Sequence, residues 1–204
     1  MSIEIRKATE SDIPAIIDVY FDAFRDHPLT LNAFRPGTEA AVNWWTQSIS
    51  ADLKDPNAHF QVVTDPTFAN PERIIAFGKW REWLTSRTPP APPAPKWPEG
   101  ADVPLLELFF GTINAKHDEI LGDRPHWYLD ILGVRQEAQG KGVGSALVKW
   151  GIGKADEVGQ EAFLAASPAG APMYKKHGFE IHSTVPIGEN GRVETFMLRP
   201  AKKP

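Results

Sequence analysis

The chain has 204 residues, 42% hydrophobic and 24% charged, with a formal net charge of −4 and no cysteine. That composition fits a globular protein long enough to bury its own core. It excludes a disulfide framework, a thiolate metal site and a cysteine nucleophile, and the mixed charge leaves no nucleic-acid footprint.

No apolar run reaches membrane-spanning length, and the opening MSIEIRKATESDIPAI has no apolar signal core. The expectation is a cytoplasmic protein with no membrane partner. In chain order, SIEIRKAT alternates and predicts a first strand. ESDIPAIIDVYFDAF predicts a helix, with Ser11 as N-cap, Pro14 in the first turn, and Ile13, Ile16, Ile17, Tyr20 and Phe24 at helical spacing. RDHPLTLNAFRPG is a loop or broken helix, and TEAAVNWWTQSISADL a second helix. HFQVVTD and RIIAFGKWREWL read as a hairpin around a Pro66–Pro71 turn.

Seven prolines between Pro89 and Pro104 then forbid helix and central strand. We read residues 85–104 as a surface insertion, either an extended connector or a lid or docking segment, within one domain spanning 1–204. LLELFFGTINAKHDEIL predicts a helix, and HWYLDILGV a central strand apolar on both faces. A glycine-rich turn and a helix to about Val158 follow. The chain closes with strand AFLAA, a short helix PMYKKH, and strands FEIHSTVPI and RVETFMLRP joined by GENG. Hairpins mixed with crossover units predict an α/β fold with a mixed, partly antiparallel central sheet and helices on both faces.

The turn Gln139-Gly140-Lys141-Gly142-Val143-Gly144 carries the most information. A helix starting here presents unpaired N–H groups and the positive end of its dipole, and glycines let an anion reach those amides. A P-loop needs Lys then Ser or Thr after the last glycine, but Ser145-Ala146 follow. A dinucleotide fingerprint needs a third glycine where Leu147 stands, although Glu161 lies near the distance of a ribose acid.

Instead, VRQEAQGKGVGSALVKW resembles the acetyl-CoA motif of the GNAT superfamily of N-acetyltransferases, [Q/R]-x-x-G-x-[G/A]. MYKKHGFE, further along, is similar to that family's second signature, a tyrosine before a glycine-phenylalanine pair. The order of elements agrees from Ile3 to Arg199, the proline-rich segment excepted. The resemblance implies a sheet splayed at Tyr128–Val134 and acetyl-CoA as co-substrate, with no metal. It implies that Gln139, Gly140, Lys141, Gly142, Val143, Gly144 and Ser145 hold the pyrophosphate. Leu132, Gly133 and Val134 would meet the acetyl carbonyl and pantetheine, with Gly133 suited to a bulge. Ser167 stands where the family often has an Asn, and Gly170 where it often has an Ala.

Acetyl transfer must first deprotonate an amine. At a pKa near 10.4 only about one in 2,500 molecules is free at pH 7, a penalty of roughly 4.6 kcal/mol. The departing thiolate must then gain a proton, and Tyr174 is the donor the second signature implies. Bases recur in the family at the positions of Asp130 and Tyr128. Asp130 is an unusual acid for so apolar a strand, and serves either as base, as substrate anchor, or as a buried acid tied to a neighbour. His117 is an alternative base, but as a lone histidine on a polar helix face it reads as solvated, and His126 and His177 read the same way. Trp44, Trp45, Trp80 and Trp83 read as half-buried, with Trp45 or Phe34 able to wall an acceptor pocket.

The resulting expectation is an acetyl-CoA-dependent N-acetyltransferase that moves acetyl directly to a primary amine of a small molecule, as a monomer or homodimer with no nucleic-acid partner. A protein-lysine or longer-chain acyltransferase is the alternative. A non-catalytic CoA-binding module is a further one, disfavoured because a binder does not need Tyr174.

Overall fold

The structure, a computed structural model, describes residues 3–67, 70, 72–84, 96–187 and 192–202. The GENG connection and residues 85–95 of the proline-rich insertion lie outside the described residues. The strands are β1 (Glu4–Lys7), β2 (Ala58–Thr64), β3 (Ala76–Trp83), β4 (His126–Val134), β5 (Glu161–Ala166), β6 (Glu180–Ile187) and β7 (Arg192–Arg199). The helices are α1 (Ile13–Ala23), α2 (Glu39–Lys54), α3 (Val103–Leu121), α4 (Val143–Glu157) and α5 (Ala171–Lys175). The sheet order is β1-β2-β3-β4-β5-β7-β6. β4 and β5 pair in parallel, whereas β1/β2, β5/β7 and β6/β7 pair antiparallel, so the sheet is mixed as expected. The paired residues of the parallel ladder end at Leu129↔Leu164, within the stretch expected to splay.

The chain packs as two compact units. The first comprises Met1–Lys79, Pro90–Val103 and Ile131–Leu147. Its core joins Val63, Ile75, Val134, Ala138, Val143 and Leu147. On β3, a Cβ at Gly78 would lie 3.6 Å from Leu147 of α4, while the next residue, Lys79, reaches Asp52 of α2 at 2.8 Å. Neighbouring strand residues point to opposite faces, so helices cover both sides here.

One local expectation changes in this unit, and two gain detail. Ser11 does not cap α1. Residues 10–12 form a 3₁₀ turn instead, and the Asp12 carboxylate accepts the Thr9 N–H at 2.8 Å while pairing with both guanidinium nitrogens of Arg6 at 2.8 Å. A carboxylate takes two donors and a cation where a serine hydroxyl cannot. Residues Leu29–Phe34 are a π-helix ending on Arg35 in the left-handed region at φ 46°. At the described end of the insertion, half-buried Trp97 stacks on Trp44 at 5.4 Å and meets Phe34 at 6.3 Å.

The second unit comprises Trp80–Pro89, Pro104–Asp130 and Val148–Pro204. Ile113, Ile120 and Leu121 of α3 pack on Phe163 and Phe196, with Tyr128 against the same cluster. Trp80, expected half-buried, is fully buried, because Gly151 of α4 leaves room for its indole. Gly178, at φ 84°, turns the chain out of α5 as a left-handed cap.

Candidate functional site

In the first unit, β4 delivers Leu132, Gly133 and Val134 to the glycine turn. Gly133 admits no side chain, since a Cβ there would stand 2.7 Å from the Phe77 ring. The close approach of Phe77 gives this glycine a packing reason of its own. Arg135, 5% exposed, anchors the strand's exit. Its backbone N–H and Nε donate to the carbonyls of Ile75 (2.9 Å) and Ile74 (3.0 Å), and its guanidinium pairs with Asp18 of α1. Asp22, one turn along α1, accepts the Gln136 N–H at 2.8 Å. Sequence reading missed Arg135, Asp18 and Asp22. The signal was an arginine at the junction of an apolar strand and a glycine turn, with acids at i and i+4 on a helix.

A 3₁₀ turn over Gln136–Ala138 leads to Gln139, whose side-chain N–H donates back to the Val134 carbonyl at 3.1 Å. Gly140 and Gly142 sit at φ 71° and 83°, where other residues are strained, and a Cβ on either would meet nothing within 4 Å. The conformation demands glycine, and the space over both is open. α4 begins at Val143, its first bond running from the Ala146 N–H to the Gly142 carbonyl at 3.1 Å. The amides of Val143 and Gly144 therefore belong to the first turn, where an α-helix has no internal acceptor for them. Lys141 adds a cation. Open space, first-turn amides and a lysine make an anion cradle suited to a pyrophosphate.

In the second unit, Ser167, Gly170 and Tyr174 stand together. The Ser167 hydroxyl accepts the Gly170 N–H at 3.3 Å, leaving its own proton for another acceptor. A Cβ at Gly170 would sit 3.2 Å from the Tyr174 ring, so an alanine there would crowd it. Tyr174 packs at 6.0 Å from Phe179, and burial pushes its phenol up to about 12. It stays protonated through the neutral range, as a donor must.

Elsewhere in that unit, β4 sets His126, Tyr128 and Asp130 at alternate positions on one face. Asp130 is exposed, not the buried acid that was one of its readings. Burial first, then the Asp130 carboxylate, push the Tyr128 phenol well above its ordinary range. His117 and His126 overturn the solvated reading: they are 5% and 0% exposed, and their Nε2 atoms are 2.8 Å apart. His117 follows Ile113 and precedes Ile120 and Leu121 at helical spacing, the buried stripe of α3. That periodicity was the available signal. His177 is half-buried, and its desolvation, then Lys149, hold it below its ordinary value.

Among the described residues, no group of three or more His, Cys, Asp or Glu is placed to hold a metal, and no helix is long and apolar enough to cross a membrane.

The family described as "Acetyltransferase (GNAT) family" matches residues 34–179. The fold is similar to a histone acetyltransferase HPA2 and related acetyltransferase from Corynebacterium glutamicum at 22% identity and TM-score 0.64, over 100% of this chain and 99% of that one. It is also similar to Arabidopsis thaliana NAA60 in complex with acetyl-CoA (13%, TM-score 0.58, 97% of each chain). A third likeness is to the ribosomal-protein-S18-alanine N-acetyltransferase of Escherichia coli (13%, TM-score 0.54, 100% of this chain and 96% of that one).

Proposed function

The chain belongs to the GNAT family of acetyltransferases, an N-acetyltransferase by family, and from that premise we propose that it moves acetyl from acetyl-CoA directly to a primary amine of a small molecule. The observation that carries this reading is the anion cradle at Gln139–Gly144, with positive φ at Gly140 and Gly142 and open space above both. That NAA60 was solved with acetyl-CoA supports the choice of co-substrate. Gln139, Gly140, Lys141, Gly142, Val143, Gly144 and Ser145 would hold the pyrophosphate, Leu132–Val134 the acetyl-pantetheine arm, and Ser167 a pantetheine amide. We read residues 1–204 as one acetyltransferase domain working in the cytoplasm, as a monomer or homodimer.

Tyr174 is the donor to the departing sulfur. With its phenol near 12, full transfer to a thiolate of ordinary pKa about 8.5 is uphill by about 5 kcal/mol. The hydroxyl therefore acts chiefly as a hydrogen-bond donor to the developing negative charge, and solvent completes the protonation. Tyr128, raised above its ordinary range, is likewise a donor and not a base. Of the two strand candidates, Asp130 is the one able to take the amine's proton or hold its ammonium.

A protein acceptor is the second reading, and the likeness to the S18-alanine N-acetyltransferase favours it. Release of CoA thiol decides between them. Acetyl-CoA is supplied with an alkylamine, an arylalkylamine, a diamine, an amino sugar and an amino acid, and in parallel with lysine-bearing and free-N-terminal peptides. Turnover confined to the small amines supports the first reading, and turnover confined to peptides replaces it with the second. Tight acetyl-CoA binding with a flat trace for every acceptor would support a non-catalytic binder.

A further inference from the structure

The buried histidine pair in the second unit has no place in the reaction as drawn so far. The His126 Nδ1–H donates to the Arg124 carbonyl at 2.7 Å, which fixes its tautomer and leaves the Nε2 lone pair free to accept. That lone pair faces His117 Nε2 at 2.8 Å, so His117 carries its proton on Nε2 and donates. The His117 Nδ1 then faces the Asp118 carboxylate at 3.4 Å. A neutral His117 sets a lone pair against that carboxylate, whereas a protonated His117 donates on both sides. Burial opposes the charged form and holds His117 below its ordinary value. The geometry therefore offers one extra proton a seat that burial makes costly, the arrangement of a group poised to titrate.

The pair is boxed by rings and lies beside the two strand candidates. Trp83 stacks on His126 at 5.7 Å and meets His117 edge-on at 4.9 Å. His117 lies 5.2 Å from the Tyr128 ring and 5.3 Å from Phe163. The charged or titratable groups acting on His117 are Asp118 from α3 and His126, Tyr128 and Asp130 from β4; β3 and β5 set the rings of Trp83 and Phe163 against it, and buried Arg81 of β3 and Glu194 of β7 act on the adjoining Tyr128. Asp130 acts on His117 electrostatically, favouring its cation.

We propose that His117 and His126 are positioning residues of acetyl transfer: their hydrogen bond fastens α3 to the start of β4, and the charge on His117 tunes Asp130. This rests on the transferase reading above. With His117 neutral, Asp130 attracts a cationic acceptor more strongly than with His117 charged. Protonated His117 adds a cation near Asp130, weakening its hold on an ammonium. Efficiency toward a cationic amine therefore falls as pH drops through the His117 pKa, below about 6.5.

Two measurements on the whole protein test this. Ring-¹⁵N NMR from pH 5 to 8 should show His126 fixed as the neutral Nδ1–H tautomer and His117 taking up the proton. Asp130→Asn should then lower the His117 titration by about 0.3 pH unit or more, because an anion favouring the cation is gone. An unmoved His117 titration overturns the proposal. With the panel amine of highest turnover, His117→Leu should cut kcat about tenfold while the KM for acetyl-CoA stays within about twofold. His117→Gln, able to donate to His126 but not to titrate, should recover kcat relative to His117→Leu and lose the His117 part of the acid limb. Parent-like kcat and pH profile in both variants also overturn it. A misfolded His117→Leu leaves the decision to the Asp130→Asn titration. If the parent acetylates nothing, the transferase reading fails and takes this role with it. Turnover with an uncoupled His117 sinks the present inference alone.

Discussion

Two of the three glycines of α4, Gly151 and Gly153, should respond oppositely to replacement by alanine. Alanine is favoured over glycine in a helix by about 1 kcal/mol. At Gly153 a Cβ would meet nothing within 4 Å, so that gain stands alone. At Gly151 the Cβ would stand 1.9 Å from Cε2 of Trp80 and 2.3 Å from Cδ2. The indole is fully buried, at 0% exposure, and has no free direction in which to move. Overpacking typically costs about 1–3 kcal/mol, and so close an approach belongs at or above the upper end. Net of the helix gain, Gly151→Ala should lose about 2 kcal/mol or more. At about 2–4 °C per kcal/mol for a chain this long, its Tm falls by roughly 4–8 °C and that of Gly153→Ala rises by roughly 2–4 °C. Paired thermal and urea denaturation measures both. If Gly151→Ala is as stable as Gly153→Ala, the packing of α4 on Trp80 is not as described.

Gly142→Ala should cost about 1–2 kcal/mol of stability through its positive φ yet bind acetyl-CoA nearly as the parent does, whereas Gly142→Asp should lose at least about tenfold in affinity beyond the alanine variant; calorimetry that finds the two alike removes the phosphate-cradle assignment. Tyr174→Phe should lower kcat by about 10²-fold, the low end for a lost proton donor, with acetyl-CoA affinity within one decade; parent-like turnover when chemistry limits the rate returns Tyr174 to a packing role. The hydrogen bond from Arg6, assisted by Thr9, holds the Asp12 carboxyl at about 2 against an ordinary 3.8. Its stabilisation is complete above about pH 3.8 and lost as pH falls toward 2, so the stability gap between parent and Asp12→Asn should close over that window. A gap that ignores pH would contradict the ion pair.

The parts of the fold that followed from sequence are those in which local chemistry and tertiary packing agree. β4 was legible over its full length, His126–Val134, because its apolar run ends on a glycine turn. The start of α4 was legible because no residue but glycine suits the conformations at 140 and 142. What failed needed partners distant in the chain or a weighing of competing signals. Asp12, not Ser11, stands before α1, its carboxylate taken up by the Thr9 N–H and by Arg6 from β1. His117 was read by its polar neighbours Lys116 and Asp118, when the apolar stripe through Ile113 and Ile120 governed its burial. Arg135 is explained only by Asp18, 117 residues earlier, and by the carbonyl of Ile74.

The most direct test of the central claim is the fate of the acetyl group. Acetyl-CoA labelled with ¹³C in the acetyl carbon is mixed in a single turnover with the parent protein and the best panel amine, and every species is followed by mass spectrometry. Direct transfer predicts label in an amide on the amine, at the rate free CoA appears and with none held on the protein. Label that first accumulates covalently on the chain, or leaves only as acetate while the amine stays unmodified, would contradict it.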